Sequence, residues 1–265
     1  ILILMVLGIV MVFSASSIEL MMKGNSPYQI FLKQGKFVIG GFFVMLFTAY
    51  MDFRFWKKLT PLMYFGSLVL LLLIFVPGFG VKANNALRWL KLGPIPMQPS
   101  EIVKITLILM MSKQLSHKSE KELGSLECFG LSLIYIAIPV VLVFMQPSFS
   151  SGMTILLIGA AVLMASGTRI RYFIMSGVAV SPLIYYYITK HSYMMDRINA
   201  SKDRWSVSQG DGFQSIQSLY ALANGGLFGV GLGNSTQKYN YIPEAQNDFI
   251  FSIIGEELGL FGALF

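Results

Sequence analysis

The chain has 265 residues, of which 55% are hydrophobic and only 12% are charged, and its mean hydropathy is +0.65. Because soluble domains usually carry about 25% charged residues, this composition excludes an ordinary soluble domain and predicts an all-α polytopic membrane protein. The net charge of +7 does not indicate nucleic-acid binding, since the basic residues cluster in short loops between apolar runs.

Eight apolar runs predict membrane-spanning helices, since a span needs roughly 20 mostly apolar residues. The predicted spans cover residues 1–15, 37–50, 62–76, 101–112, 126–145, 153–166, 172–189 and 249–265. A structured loop at 80–100 separates the third span from the fourth, and a long polar loop separates the seventh span from the last. The chain starts and stops inside apolar runs, so we expect a single membrane domain over residues 1–265 that is trimmed at both ends.

The basic residues predict the orientation. The short loops that follow the second, fourth and sixth spans contain Arg54, Lys57, Lys58, Lys113, Lys118, Lys121, Arg169 and Arg171. Cytoplasmic loops carry an excess of Lys and Arg, so these loops are predicted to face the cytoplasm. The long loop after the seventh span then faces the outside of the membrane, and long translocated loops are exempt from the charge rule.

Four ionisable residues lie in or beside apolar helices. Glu101 and Lys104 are three residues apart near the outer end of the fourth span, so they share a helix face and are predicted to pair. That pair is either part of a cavity or purely structural. Glu256 and Glu257 are adjacent in an apolar run and cannot both face lipid, so each needs a partner or water.

A glycine-rich run at residues 225–235 precedes those two acids and includes Gly229, Gly231 and Gly233. It is not a dinucleotide-binding fingerprint, because the final spacing and a surrounding βαβ unit are lacking. Close approach of the backbone to another helix or to a lipid headgroup is the better interpretation.

The long loop carries the candidates for catalysis. Asp203 and Asp211 lie near the basic residues Arg197, Lys202 and Arg204. An aspartate there is a candidate general base, and the cations are candidates for binding a diphosphate. The alternative is a solvated loop with incidental charges. Cys128 is the only cysteine, so a Cys-based metal cluster is excluded, and we predict no metal site.

Several blocks of this sequence resemble motifs of the SEDS family, which comprises FtsW, RodA and SpoVE. The matching residues are Arg88-Trp89, Leu92-Gly93-Pro94, Gln98-Pro99-Ser100-Glu101, Lys104, Gln146-Pro147, Gly212-Phe213-Gln214, Gln217-Ser218, Gly231-Leu232-Gly233-Asn234-Ser235, Gln237-Lys238, Pro243-Glu244, Asp248-Phe249-Ile250-Phe251 and Gly255-Glu256-Glu257-Leu258-Gly259. The Gly-Asn-Ser and Gln-Lys elements resemble the FtsW/SpoVE branch more than RodA. The family usually has ten spans, so the last two are expected to be missing here.

The resemblance implies a peptidoglycan glycosyltransferase in the bacterial cytoplasmic membrane. It would polymerise lipid II on the outer face during cell division or sporulation, with inversion at the anomeric carbon. The implied partners are a class B penicillin-binding protein and other divisome or elongasome membrane proteins. The resemblance implies no definite cofactor, and a divalent cation is the one candidate. The implied substrate-binding residues are Arg88, Gln98, Glu101, Lys104, Arg197, Lys202, Arg204, Gln214, Lys238, Glu244 and Glu256.

The chain departs from the family at the catalytic aspartate. Counting back seven residues from Gln214, where the family has that aspartate, gives Val207. The base is therefore Asp203, Asp211 or absent, and Asp203 is preferred. Two other functions stay open: a transporter of lipid-linked precursor, and a catalytically weak scaffold for a partner synthase. A general base in the outer loop favours the polymerase. Carboxylates that link the two faces of the membrane through a cavity favour transport.

Overall fold

The computed structural model describes residues 1–83, 86–91, 96–146, 148–190, 212–239, 241–242 and 245–264. In these residues the fold is mainly helical, as predicted. The helices in chain order are α1 (Leu2–Met22), α2 (Gln29–Tyr50), α3 (Phe53–Leu73), α4 (Pro99–Leu115), α5 (Glu120–Leu123), α6 (Leu126–Phe144), α7 (Phe149–Ala165), α8 (Ile170–Lys190), α9 (Phe213–Gly225) and α10 (Ile250–Leu264).

Each of the eight predicted spans falls on one of these helices, and the chain is a polytopic helical membrane protein. Within the described residues, four helices are long and apolar enough to cross a membrane: α1, α2, α3 and α6. The helix α7 is apolar but shorter. The number of spans therefore stays a prediction.

A small sheet interrupts the helices, and an all-α prediction omits it. Its strands β1 (Gly80–Ala83), β2 (Ala86–Lys91) and β3 (Pro96–Met97) pair antiparallel in the order β1-β2-β3. Leu90 is fully buried and lies opposite both Gly80 and Met97. Strands this short leave no hydrophobic period in the sequence, which is why residues 80–100 were predicted only as a structured loop.

The chain forms two compact units. One consists of Ile1–Tyr50 with Leu183–Phe265, and the other of Met51–Pro182. In the second unit, α3, α4, α6 and α7 share a core that includes Tyr64, Leu107, Ile136 and Ile155. The Tyr64 hydroxyl donates to the Tyr135 carbonyl at 2.7 Å, so this buried phenol keeps a hydrogen-bond partner.

The first unit has a smaller core between α1, α9 and α10. It is built from Met11, Ala15, Ala221 and Ile253 among others. Helix α2 packs on α1 and has no buried residue of its own. Small residues such as Ala15 and Ala221 let helices approach closely, which is how helices associate within a membrane.

The basic loops of the second unit meet at one end of its helices. Lys113 lines the same cavity as Arg54, Lys57 and Lys58. A Cβ on Gly124 would lie 2.9 Å from the Arg169 Nε atom, so the loops after the predicted fourth and sixth spans are also neighbours. The prediction that these loops share one side of the membrane agrees with this arrangement, and which side they face stays a prediction.

Candidate functional site

Helix α10 is broken at Gly259, where φ is 69° and ψ is −168°. In a regular helix the amides of Leu260 and Phe261 would donate to the carbonyls of Glu256 and Glu257. Here Leu260 donates to the Gly226 carbonyl at 2.9 Å and Phe261 donates to the Leu227 carbonyl at 3.3 Å. The break therefore leaves two helical carbonyls and two amides to be satisfied by another part of the chain.

The glycine-rich segment, residues 225–235, supplies those partners. The amides of Val230 and Gly231 donate to the carbonyls of Glu256 and Glu257 at 2.9 Å and 3.0 Å. The segment thus donates two hydrogen bonds and accepts two at the break. An interrupted helix within a membrane is tolerated where neighbouring groups satisfy its backbone in this way.

Three glycines make this contact sterically feasible. A Cβ on Gly225 would lie 1.9 Å from the Gly255 carbonyl oxygen, and one on Gly229 would lie 2.2 Å from the Glu257 carbonyl oxygen. A Cβ on Gly259 would lie 2.3 Å from the Gly229 nitrogen. The interpretation that the glycines permit close approach of the backbone to a helix is confirmed.

The Glu257 carboxylate is buried and paired. Lys238 Nζ lies 3.0 Å from Glu257 Oε1, and both side chains are almost inaccessible. The Ser14 hydroxyl donates to this carboxylate at 2.7 Å, and the Ser235 amide donates at 3.4 Å. Lys238 also donates to the Gly233 carbonyl. The ion pair therefore connects α1, the glycine-rich segment and α10 inside one unit.

The Glu256 carboxylate is equally buried but has no cationic partner among the described residues. It accepts hydrogen bonds from the hydroxyls of Ser235 and Thr236, the latter at 2.8 Å. The amides of Thr236 and Gln237 add donors at 3.2 Å and 3.4 Å. All four groups donate to the carboxylate, so the buried oxygens of Glu256 have hydrogen-bond partners. The expectation that both acids need partners is confirmed.

Ser14 and Thr236 belong to this site and were not predicted. The signal for Ser14 was a row of small residues, Ser14 to Ser17, inside an otherwise apolar helix, three of which are buried serines. Small polar residues in a spanning helix are typical of helix contacts. Thr236 lies between the predicted Gly-Asn-Ser and Gln-Lys elements. Nothing in the sequence indicates that its hydroxyl donates to Glu256, which the structure shows.

The predicted pair of Glu101 and Lys104 also forms. Lys104 Nζ lies 2.8 Å from Glu101 Oε1 near the start of α4, and the Glu101 side chain is 57% exposed. Gln98 is the N-cap of α4 and Pro99 its first residue. Arg88 lies in β2, whose partner strand β3 leads directly into α4. Four predicted substrate-binding residues therefore lie in the sheet and helix of one unit.

The other predicted site residues lie on the surface of α9, in the interior, or outside the described residues. Gln214 is exposed in the first turn of α9, whereas Lys238 and Glu256 are buried and bonded internally. Asp203, Asp211, Arg197, Lys202, Arg204 and Glu244 lie outside the described residues. Substrate binding by these residues stays a prediction. Among the described residues no group of three or more His, Cys, Asp or Glu could hold a metal ion.

The fold and the site define a polytopic membrane protein whose last described helix is broken beside two buried carboxylates. The family FTSW_RODA_SPOVE, described as "Cell cycle protein", matches residues 1–265. A protein of Geobacter sulfurreducens named "Probable peptidoglycan glycosyltransferase FtsW" is 37% identical over 255 residues, which is 96% of this chain and 68% of that protein. A protein of the same name from Legionella pneumophila is 35% identical over 98% of this chain and 66% of its own length.

Two solved structures share the fold. A chain of a peptidoglycan synthase complex aligns with a TM-score of 0.73 and 24% identity, over 99% of this chain and 72% of that one. The rod shape determining protein RodA of Thermus thermophilus aligns with a TM-score of 0.63 and 21% identity, over 98% of this chain and 65% of that one. The chain belongs to the FtsW/RodA/SpoVE family.

Proposed function

We propose that this protein is a peptidoglycan glycosyltransferase that polymerises lipid II. The observation that carries the proposal is the similarity, along nearly the whole chain, to relatives named peptidoglycan glycosyltransferase FtsW. The proposed location is the bacterial cytoplasmic membrane, and the proposed site of reaction is its outer face. The predicted orientation of the long loop supports that location.

In the proposed reaction an acceptor sugar hydroxyl attacks the anomeric carbon of the growing glycan. The new C–O bond forms as the bond to undecaprenyl diphosphate breaks, and the configuration inverts. A carboxylate takes the hydroxyl proton, and Asp203 is our first candidate and Asp211 the second. Arg197, Lys202 and Arg204 are proposed to stabilise the charge that develops on the leaving diphosphate.

The described residues support this proposal by fixing the end of the long loop. Helix α9 begins two residues after Asp211 and packs closely on α10. Its C-terminal end continues into the glycine-rich segment, which the pair of Lys238 and Glu257 holds against α10. A loop whose end is attached to a rigid frame can position a base within hydrogen-bond distance of a substrate.

The Glu101–Lys104 pair is proposed to shape the substrate cavity. Its exposed carboxylate and neighbouring ammonium lie on a helix that begins next to the sheet carrying Arg88. The Lys104 ammonium and the Arg88 guanidinium can donate to phosphate oxygens, and the Glu101 carboxylate can accept from sugar hydroxyls, either directly or through water. Transport of precursor is not favoured, since the relatives are named as glycosyltransferases.

The proposed partner is a class B penicillin-binding protein, with other division proteins in the same complex. The synthase complex to which this fold is similar is described as coordinating polymerization and crosslinking, which supports such a pairing. The pairing is tested by co-purification of the tagged chain with the transpeptidase from membranes of the source organism.

Reconstitution tests the activity. The purified chain and its partner are placed in liposomes with fluorescent lipid II, and glycan polymer is separated on a gel. Because a general base contributes about 10²–10⁴-fold, Asp203→Asn should lower polymerisation by that order while leaving membrane level and partner binding intact. If Asp203→Asn makes polymer normally and Asp211→Asn makes none, the general base is Asp211.

Two further arms separate the alternatives. If both aspartate variants polymerise normally, the base lies outside this pair and the mechanism is wrong. Movement of lipid II across the bilayer without polymer identifies a transporter, and polymer made only by the partner identifies a scaffold. The divalent-cation alternative is measured in the same assay by adding EDTA and restoring Mg²⁺.

A further inference from the structure

The first two turns of α3 carry three cations on one face. Arg54, Lys57 and Lys58 are spaced three and four residues apart, which places them side by side on a helix. The end of α4 contributes Lys113, since α3 and α4 pack together with the start of one beside the end of the other. Phe53 and mainly the apolar parts of these four basic side chains line a cavity of about 470 Å³, which we call the basic cavity because of the charges that its lining residues carry.

Among the described residues, no carboxylate forms an ion pair with the four cations of the basic cavity. In the part of the chain that the structure describes, the ion pairs within 4.0 Å join other residues, and Lys118 with Glu122 is the one nearest in sequence. Asp52 is adjacent, but its carboxylate accepts from the Arg54 amide at 2.9 Å and caps α3. Like charges at this spacing repel each other, so an anion in the cavity would relieve the repulsion.

The position along α3 indicates where that anion comes from. Phe53 is 71% exposed and Phe55 is also exposed, as expected of aromatic rings where a helix leaves the membrane. Beyond them α3 continues into the apolar stretch that is long enough to span. Lysine stems can lie along apolar surface while their ammonium groups reach the headgroups. The cavity thus lies at the level of lipid headgroups.

We propose that the basic cavity binds the phosphate headgroup of an anionic membrane phospholipid. Four cations match a headgroup with two phosphates better than one with a single phosphate, since each phosphate accepts charge-assisted hydrogen bonds from two donors. Basic pockets between helix ends are known to select such lipids. This site is made of residues that take no part in the proposed reaction.

Native mass spectrometry of the purified full chain tests the proposal. The protein in neutral detergent is titrated with cardiolipin, phosphatidylglycerol, phosphatidylcholine or inorganic pyrophosphate, and bound molecules are counted. Cardiolipin is the two-phosphate probe, and phosphatidylcholine is the zwitterionic reference with no net charge. We expect the affinity order cardiolipin, then phosphatidylglycerol, then phosphatidylcholine.

The test variant is Lys57→Gln with Lys58→Gln and Lys113→Gln. Each cation near the headgroups contributes about fivefold, so cardiolipin affinity should fall roughly 100-fold. The matched control removes the same charge from exposed lysines elsewhere, with Lys33→Gln, Lys36→Gln and Lys121→Gln, and should bind as the parent does. If the triple variant does not purify as folded protein, the single variant Lys58→Gln should show its own loss of about fivefold.

Three results would overturn the proposal. If the test and control variants lose cardiolipin affinity equally, cardiolipin is attracted only by the net positive charge of the protein. Equal binding of cardiolipin and phosphatidylcholine would show that charge is not recognised. Displacement of cardiolipin by equimolar pyrophosphate would assign the cavity to a soluble phosphate instead of a lipid.

Discussion

Glu256 and Glu257 are adjacent in sequence but are stabilised in different ways. Glu257 meets a cation, Lys238, and a hydroxyl from α1. Glu256 is surrounded by hydroxyl and amide donors of the segment that follows Gly233. Burying a carboxylate is unfavourable unless its oxygens find partners. Here Glu257 has both a cation and hydrogen bonds, whereas Glu256 has hydrogen bonds from neutral donors among the described residues. The two acids therefore hold residues 235–238, at and after the end of the glycine-rich segment, against α10.

Removing one partner of the buried pair should be strongly destabilising. Lys238→Met leaves Glu257 charged and without its cation, which costs about 3–5 kcal/mol in comparable pairs. A protein of this size loses roughly 2–4 °C in Tm per kcal/mol, so a fall of about 6–20 °C is expected in detergent. The exposed acid in Glu127→Gln serves as the control and should change Tm little.

The double variant makes this prediction specific. Lys238→Met combined with Glu257→Gln removes both charges, so its Tm should lie above that of Lys238→Met alone. A double variant that is as unstable as the sum of the two single variants would show that the residues do not interact.

The exposed pair in α4 should behave in the opposite way. Glu101 is more than half exposed, and exposed ion pairs contribute at most about 1 kcal/mol. Glu101→Ala should therefore leave Tm nearly unchanged and lower glycan polymerisation, because it leaves Lys104 without its partner in the proposed cavity. Normal polymerisation by Glu101→Ala would remove the pair from the proposed site.

The exchange Glu101→Lys with Lys104→Glu tests direct contact. Part of the lost polymerisation should return if the two side chains work as a pair, since the exchange keeps the 3-residue spacing that places them on one face. Glu120→Ala, at an exposed acid of the short helix α5, is the matched control and should polymerise as the parent does.

At the scale of elements, the break in α10 depends on the glycine-rich segment. The segment and the helix exchange four backbone hydrogen bonds, which replace those lost at Gly259. These bonds require the two backbones to touch, and glycine at Gly225, Gly229 and Gly259 allows it. The break is therefore a property of two elements together rather than of α10 alone.

Gly229→Ala should separate the segment from α10. Its Cβ would overlap the Glu257 carbonyl oxygen at 2.2 Å, and its φ of +79° is unfavourable for alanine. Overpacking and a left-handed non-glycine residue each cost about 1–3 kcal/mol, so Tm should fall by at least about 4 °C. Gly8→Ala in α1, where a Cβ meets nothing within 4 Å, is the control and should be neutral or slightly stabilising.

Hydrogen exchange would locate the effect of Gly229→Ala. The amides of Val230, Gly231, Leu260 and Phe261 should lose protection in this variant, because they form the four bonds at the break. Unchanged protection of these amides together with an unchanged Tm would contradict the contact.

At the scale of the molecule, hydropathy was sufficient to place the eight predicted spans on helices, because spanning segments are defined by composition. It did not predict α5 or α9, because both lie in stretches that read as polar loops. The sheet was not predictable, since β3 has only two residues. The break at Gly259 was also hidden, because Leu258 to Leu264 read as one apolar run and the partners of the break lie about thirty residues earlier. Patterns within one segment do not report on contacts between distant segments.

The sequence predicted only those contacts of the candidate site that lie within a single helix. The pair of Glu101 and Lys104 followed from helix spacing alone. The pairing of Glu257 with Lys238 did not, because the two residues are nineteen positions apart and no regular helix spacing relates them. The base stays a choice between Asp203 and Asp211, since Val207 occupies the position where the family resemblance places an aspartate.

The orientation of the whole chain gives the last prediction. The basic loops of the second unit meet at one end of its helices, and the excess of positive charge assigns that end to the cytoplasm. In a Cys128→Ala background, Ser119→Cys should therefore react with a membrane-impermeant maleimide only after the cells are opened. Ser201→Cys, in the long loop, should react in intact cells. Labelling of both positions from the same side would refute the topology and, with it, the outer-face reaction proposed for the long loop.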